Sequence, residues 1–175
     1  ALTHSSPGLV WKIYKGYKRS TKQEASIFVF EKRQLEKWNK SDREIILESL
    51  RRGVTQLTKI RHPQILTVQH PLEESRESLA FATEPVFASL ANVLGKTTNM
   101  PQPANMSDYK LFDVEIKYGL LQISEGLAFL HNDVKLLHKN VCPESVIINN
   151  QGAWKIFGLD FCVHNTNPAN LPPVY

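Results

Sequence analysis

Residues 118–161, YGLLQISEGLAFLHNDVKLLHKNVCPESVIINNQGAWKIFGLDF, decide the fold. Leu120, Ile123, Leu127 and Leu130 recur at helical spacing, which predicts a buried helix over residues 114–131. A polar stretch, His138-Lys139-Asn140-Val141-Cys142-Pro143-Glu144-Ser145, separates that helix from two short apolar runs at 146–148 and 153–157. Asn149-Asn150-Gln151-Gly152 joins the runs with turn residues, so they read as a hairpin. Gly158-Leu159-Asp160 follows the second strand.

Working outward, the N-terminal half reads as a small sheet with one helix. Trp11 and Ile13 alternate with Lys12, a polar turn KGYKRSTKQ follows, and Ala25 to Phe30 alternate again, with Phe28 and Phe30 on one face and Ile27 and Val29 on the other. Ser41 and Glu44 have capping-box spacing ahead of Ile46, Leu50, Val54 and Leu57, which mark one helical face. That helix is expected to stop near His62-Pro63, since proline disfavours helical geometry in the residue before it. Two more strands are expected at 65–69 and 78–83, separated by the charged turn PLEESRE. After Glu84-Pro85 the pattern turns helical, with a short helix over 89–94. Residues 95–110 then read as a linker, and the last eleven residues carry no core pattern.

Composition limits what such a chain does. With 42% hydrophobic and 22% charged residues among 175, it is globular and too apolar for a disordered tail. No run of 18 apolar residues exists to span a membrane, and residues 1–10 lack the two halves of a signal peptide, so a cytoplasmic protein is expected. The two cysteines, Cys142 and Cys162, lie in no metal-binding spacing, which sets aside disulfide scaffolds and zinc sites. Part of the net charge of +4 sits in Lys12, Lys15, Lys18, Arg19 and Lys22. These residues form the solvent side of a hairpin or steer an acidic partner or an anionic membrane surface; no nucleic acid partner is expected.

The order and spacing of these pieces resemble the protein-kinase catalytic domain. His138 to Ser145 stand where that family writes H-R-D-L-K-P-E-N, and Gly158-Leu159-Asp160 where it writes D-F-G. Arg61-His62-Pro63-Gln64-Ile65 looks like the family's H-P-N-I turn, Thr83-Glu84-Pro85-Val86 like the gatekeeper and hinge. The resemblance implies an α+β, two-lobed kinase-like fold. A small β lobe is expected over 1–86, with its first strand missing. A partial helical lobe is expected over 87–175, with a degenerate catalytic loop at 138–145, a hairpin and degenerate metal-binding turn at 145–160, and a truncated activation segment.

Phosphoryl transfer depends on positioned charge: a phosphate-binding Lys paired with a helix Glu, a catalytic Asp, and Asp and Asn ligands for the metal. In the corresponding slots this chain has Phe28, Gly53, Asn140, Gly158 and Ser145, with Cys142 in the place of the loop's second lysine. Of the loop glycines only Gly8 is matched, Thr3 and Ser5 taking the other positions. Loss of Lys and Glu together strands no buried ion. Asp160 is the one nearby carboxylate; two residues along a strand would put it about 6–7 Å from the metal position. No catalytic residue and no metal ligand is therefore assigned. Four positions that a kinase stacks between its lobes stay apolar or structural: Leu57, Val68, His138 and Leu159. Val10, Ser26, Thr83, Glu84, Val86 and Ile147 are the slots of a vestigial adenine pocket, so ATP without metal is the one cofactor left open.

Phe28, RHPQILTVQHPLEESRESLAFATEPVFASLANVL and GAWKIFGLDFCV together resemble the SCY-like pseudokinases, in particular their coated-vesicle-associated branch. That resemblance implies a scaffold in clathrin-dependent traffic between the trans-Golgi network, endosomes and plasma membrane. The implied partners are clathrin and adaptor complexes, with peripheral membrane association, engaged mostly through segments outside this chain. Two alternatives remain open at this level: a nucleotide-binding switch, and a weakly active atypical kinase relying on Asp160.

Overall fold

The computed structural model describes residues 2–6, 9–96 and 110–165. Gly8, most of the 95–110 linker and all but the first residue of the 165–175 tail lie outside the described residues. Five antiparallel strands form the first sheet: β1 (Leu2–Ser6), β2 (Leu9–Tyr17), β3 (Glu24–Glu31), β4 (Val68–Glu74) and β5 (Ser78–Thr83), in the order β1-β2-β3-β5-β4. The strand expected to be missing is thus present, because Leu2–Ser6 pairs with β2 at the sheet edge. Alternation puts Leu9, Trp11, Ile13, Phe28, Phe30, Leu79 and Phe81 on one buried face, with Ile13 opposite Phe28 and Phe28 opposite Phe81.

Helix α1 (Lys40–Lys59) covers that sheet with Leu50, Gly53, Val54 and Leu57. Its cap is not the predicted Ser41. The Asn39 side chain accepts from Asp42 N–H at 2.8 Å and donates to the Asp42 carboxylate at 2.7 Å, so the helix begins two residues earlier. The strand expected at 65–69 begins only at Val68 and runs into the charged stretch as far as Glu74, while Ile65 makes a single parallel bridge to Ile156. Charged residues tolerate this edge strand because one face of it meets solvent.

Past the Glu84-Pro85 hinge, β6 (Val86–Ser89) joins β8 (Val146–Asn149) and β9 (Trp154–Ile156) in a second sheet ordered β6-β8-β9. The second sheet thus begins at Val86, next to the expected 86/87 division. The short helix α2 (Leu90–Val93) is capped reciprocally by Ser89 and Asn92. Helix α3 (Asp113–Phe129) continues into a π turn (Leu130–Val134), and a two-residue pair, β7 (Leu136–Leu137) with β10 (Val163–His164), closes the far side.

The predicted face of α3 is inward at Ile123, Leu127 and Leu130 but not at Leu120. Gly119, Gln122, Ile123 and Gly126 face the protein, whereas Leu120 is 56% exposed. The glycines set the contact: a Cβ at Gly119 would lie 2.2 Å from the Trp154 ring, and one at Gly126 would lie 2.7 Å from Ile156 Cδ1. Gln122 Oε1 accepts from Trp154 N–H at 3.1 Å and locks the same side. Val114, Tyr118, Leu120 and Leu121 are left on the exposed side.

On the solvent side, Arg51 clamps α1 to β4 through a bidentate pair with Glu74, both contacts at 2.9 Å, and Lys32 adds a third contact. Arg51, then Lys32, hold the Glu74 carboxyl down at about 2 against an ordinary 4.5. A depressed folded-state value means that the stabilisation is complete above pH 4.5 and is lost as pH falls towards 2. Because the pair is partly solvated, its expected worth is about 1 kcal/mol. Arg51→Ala should lower the unfolding free energy by that amount at pH 7 and flatten its decline below pH 4.5, measured by urea titration.

Candidate functional site

The cleft between the two sheets is where the sequence places the chemistry, and its centre is aromatic. Phe28 is fully buried and stacks on Phe81 with centroids 4.9 Å apart, while Phe157, the residue before Gly158, sits 5.1 Å from it. Trp11 meets Phe81 edge-on at 5.1 Å and reaches Phe157 at 6.5 Å. Strand alternation explains the convergence, since Phe28 and Phe81 are a cross-strand pair and Trp11 shares their face. Each such contact contributes about 0.5–1.5 kcal/mol beyond the apolar area it buries. The volume that a phosphate-binding lysine would cross is packed with rings.

Trp11 occupies the inward position in which the sequence reading put Val10. Val10 lies on the other face of β2, where its backbone N–H and carbonyl are both bonded to the Gln34 side chain, at 2.8 and 2.9 Å. Val10 therefore leaves the proposed adenine pocket. Trp11 and the Phe81–Phe157 pair were legible as apolar residues, but their meeting depends on pairing between distant strands.

Gly53 stands where the kinase helix has its glutamate, and the structure shows why no side chain fits. A Cβ there would lie 2.2 Å from Asp160 Oδ1 and 2.8 Å from the Asp160 backbone. Leu159–Phe161 form a 3-10 turn pressed onto α1, with Arg52 Nη2 donating to the Asp160 carbonyl at 3.2 Å. Asp160 thus lies buried against α1, not further along an extended strand as the sequence suggested. Gly158 carries left-handed φ and ψ of 78° and 50°, and a Cβ there would sit 3.2 Å from Ser145 Cβ. An aspartate at this position would be both strained and crowded.

Asn140, Cys142, Ser145 and Gly158 do come together, but as a packed loop. Ser145 Oγ accepts from Cys142 N–H at 3.1 Å and donates to the Cys142 carbonyl at 3.0 Å, while Phe157 N–H donates to the Ser145 carbonyl at 2.8 Å. His138 pins this loop to β9. Asn140 N–H donates to His138 Nδ1 at 3.1 Å, so Nε2 carries the proton and donates to the Phe157 carbonyl at 2.8 Å. Burial pushes the imidazole below its ordinary value, as suits a neutral structural histidine. Leu57, Val68 and Leu159 are each at most 3% exposed and belong to one continuous core, and His138 is 2% exposed.

At the hinge, Glu84 is a fastening point. Its carboxylate accepts from Thr67 N–H at 3.2 Å and from Asn149 Nδ2 at 3.3 Å, and its carbonyl accepts from Thr83 Oγ1 at 2.8 Å. Val86 N–H donates to Ser26 Oγ at 2.8 Å in a buried contact. Ser26, Thr83, Val86 and Ile147 are all buried. A magnesium nucleotide does not fit these residues: the cationic partner is a ring, the metal carboxylate is replaced by Gly158, and the one nearby acid is turned to α1. Among the described residues no group of three His, Cys, Asp or Glu is placed to hold a metal ion.

A two-lobed α+β domain with a helix packed on a five-stranded sheet, a hinge and a loop–hairpin–turn at the cleft defines the protein-kinase class, here with packing residues in its chemical positions. Residues 7–172 match the protein kinase domain family, and the chain belongs to it. The chain is 60% identical over 170 residues to "SCY1-like protein 2" of Homo sapiens, covering 96% of this chain and 18% of that protein. It is 38% identical over 164 residues to "Protein kinase domain-containing protein ppk32" of Schizosaccharomyces pombe, covering 86% and 22%. A "Probable inactive serine/threonine-protein kinase scy1" of Dictyostelium discoideum is 31% identical over 152 residues, covering 87% and 16%. The chain spans about a fifth of the length of these curated relatives. These similarities agree with the SCY-like resemblance read from the motifs.

Phe28→Lys should cost at least about 3 kcal/mol, because it removes a ring from a close-packed cluster and buries an ammonium with no carboxylate partner. Chemical denaturation measures the loss, and the variant is expected to gain no phosphate transfer. Gly53→Glu should be worse than Phe28→Lys in the same assay, since Asp160 occupies the required space. Phe28→Lys/Gly53→Glu together should not recover the loss.

Proposed function

We propose that this domain is a catalytically inert protein-kinase fold that serves as a protein-interaction scaffold. The observation that carries the reading is Phe28, sealed by Phe81 and Phe157 where phosphoryl transfer needs a lysine. An interlobe core that is complete while its chemical positions are apolar or neutral preserves a surface and not a reaction. General-base catalysis alone contributes about 10²–10⁴ in rate, and Asn140 as an amide supplies none of it at neutral pH.

Within the whole protein we place this scaffold in clathrin-dependent traffic between the trans-Golgi network, endosomes and plasma membrane, cytoplasmic and peripheral on the vesicle. Its partners in that reading are clathrin and adaptor complexes. What supports this finer part is the SCY-like resemblance of the motifs; the inert part rests on geometry.

The full-length protein, incubated with radiolabelled ATP and magnesium or manganese, should transfer no phosphate to itself or to a general substrate. Metal-dependent transfer abolished by Asp160→Asn would overturn the reading. In the same full-length background, Leu57→Ala and Leu159→Ala should each cost about 2–5 kcal/mol and weaken co-precipitation of clathrin and adaptors. Asn140→Ala and Cys142→Ser should leave co-precipitation unchanged.

A further inference from the structure

A planar base bound at a hinge is read along its edge by a backbone donor and a backbone acceptor, which fix its orientation. In this chain the acceptor is only partly committed. The Glu84 carbonyl takes the Thr83 hydroxyl on one lone pair and keeps a second. The donor has no such reserve, because an N–H carries one proton. Val86 N–H has given it to Ser26 Oγ at 2.8 Å, in a contact where Ser26 is 2% and Val86 5% exposed. The same two residues also border a pocket of about 430 Å³ whose wall includes Gly16, Ala25, Pro85 and Asn150. Space therefore adjoins the hinge, while the group that would hold a ligand there is turned inward.

We infer that the Ser26 hydroxyl is an internal stand-in for a purine edge: it closes the hinge to adenine compounds, independently of the aromatic plug at Phe28. The two closures act on different parts of a nucleotide. Phe28, Phe81 and Phe157 fill the volume of the phosphate-binding lysine. Ser26, two residues earlier on the same face of β3, takes the donor that the base requires. Removing the hydroxyl alone frees the donor without adding any charge or metal site. The variant would bind the nucleoside portion and remain unable to transfer phosphate. This inference deepens the inert-scaffold reading and rests on it, but the two fail separately.

The test uses the full-length protein, unmodified and as Ser26→Ala, with adenosine as probe and EDTA present. Adenosine at millimolar concentration should leave the melting temperature of the unmodified protein unmoved. It should raise that of Ser26→Ala saturably by a few degrees. A saturable shift in the unmodified protein, or its absence in folded Ser26→Ala, overturns the inference. If Ser26→Ala does not fold, amide hydrogen exchange at Val86 in the unmodified protein decides. Strong protection of that N–H supports the latch and rapid exchange overturns it. Phosphate transfer by the unmodified protein would instead sink the scaffold reading, whatever adenosine does.

Discussion

The contact of Phe28 with Phe81 and Phe157 is the constraint around which the cleft is organised. It joins β3, β5 and the end of β9, so it fixes the first sheet against the segment that leads into the Leu159–Phe161 turn. A buried lysine would hold the same place only with a carboxylate partner and at a desolvation cost of several kcal/mol per ion. Replacing such a pair by packed apolar groups is neutral or stabilises by about 1–4 kcal/mol. The ring therefore gives the fold a firmer centre as it takes away the means of holding a phosphate.

Once the inner ion pair is gone, α1 must be held by other means, and the structure supplies two. On the inside, Gly53 has no side chain, so Asp160 packs directly onto the helix backbone, its carboxylate oxygen nearest. On the outside, the Arg51 fork grips Glu74 on β4. The apolar residues Leu57, Val68 and Leu159 connect these anchors through the common core. The inner placement that a working kinase sets by charge is set here by contact distance, which leaves only the outer Arg51–Glu74 grip open to screening by salt.

Much of this was legible in the sequence, because the signals were local. The period-2 pattern of Ala25 to Phe30, the run Ile46 to Leu57 and the Asn-Asn-Gln-Gly turn each fix an element within a few residues. Phe28, Gly53, Asn140 and Gly158 could be assigned to their slots because motif order is itself local information. What escaped were contacts that depend on the exact pairing of distant segments. Val10 and Trp11 are neighbours, and only the pairing of β2 with β3 decides which faces the cleft. The inward side of α3 was read correctly at Ile123, Leu127 and Leu130, but Leu120 turns out to solvent because Trp154 selects the side where Gly119 leaves room. Strand spacing already put Asp160 away from the metal position, but the 3-10 turn that carries it to α1 left no local signal. The Ser26 hydroxyl gave no signal, since its partner is the backbone of Val86, sixty residues away.

The missing Cβ at Gly53 also makes the loss of chemistry a ratchet. A working cleft needs a lysine and a glutamate at once, but the seat for the glutamate has been given over to Asp160. A glutamate introduced first displaces Asp160, and a lysine introduced first is an ion without a counterion. Each single step back lowers stability, so in a domain whose α1 has settled this closely the packing of Gly53 on Asp160 opposes restoring the pair one residue at a time.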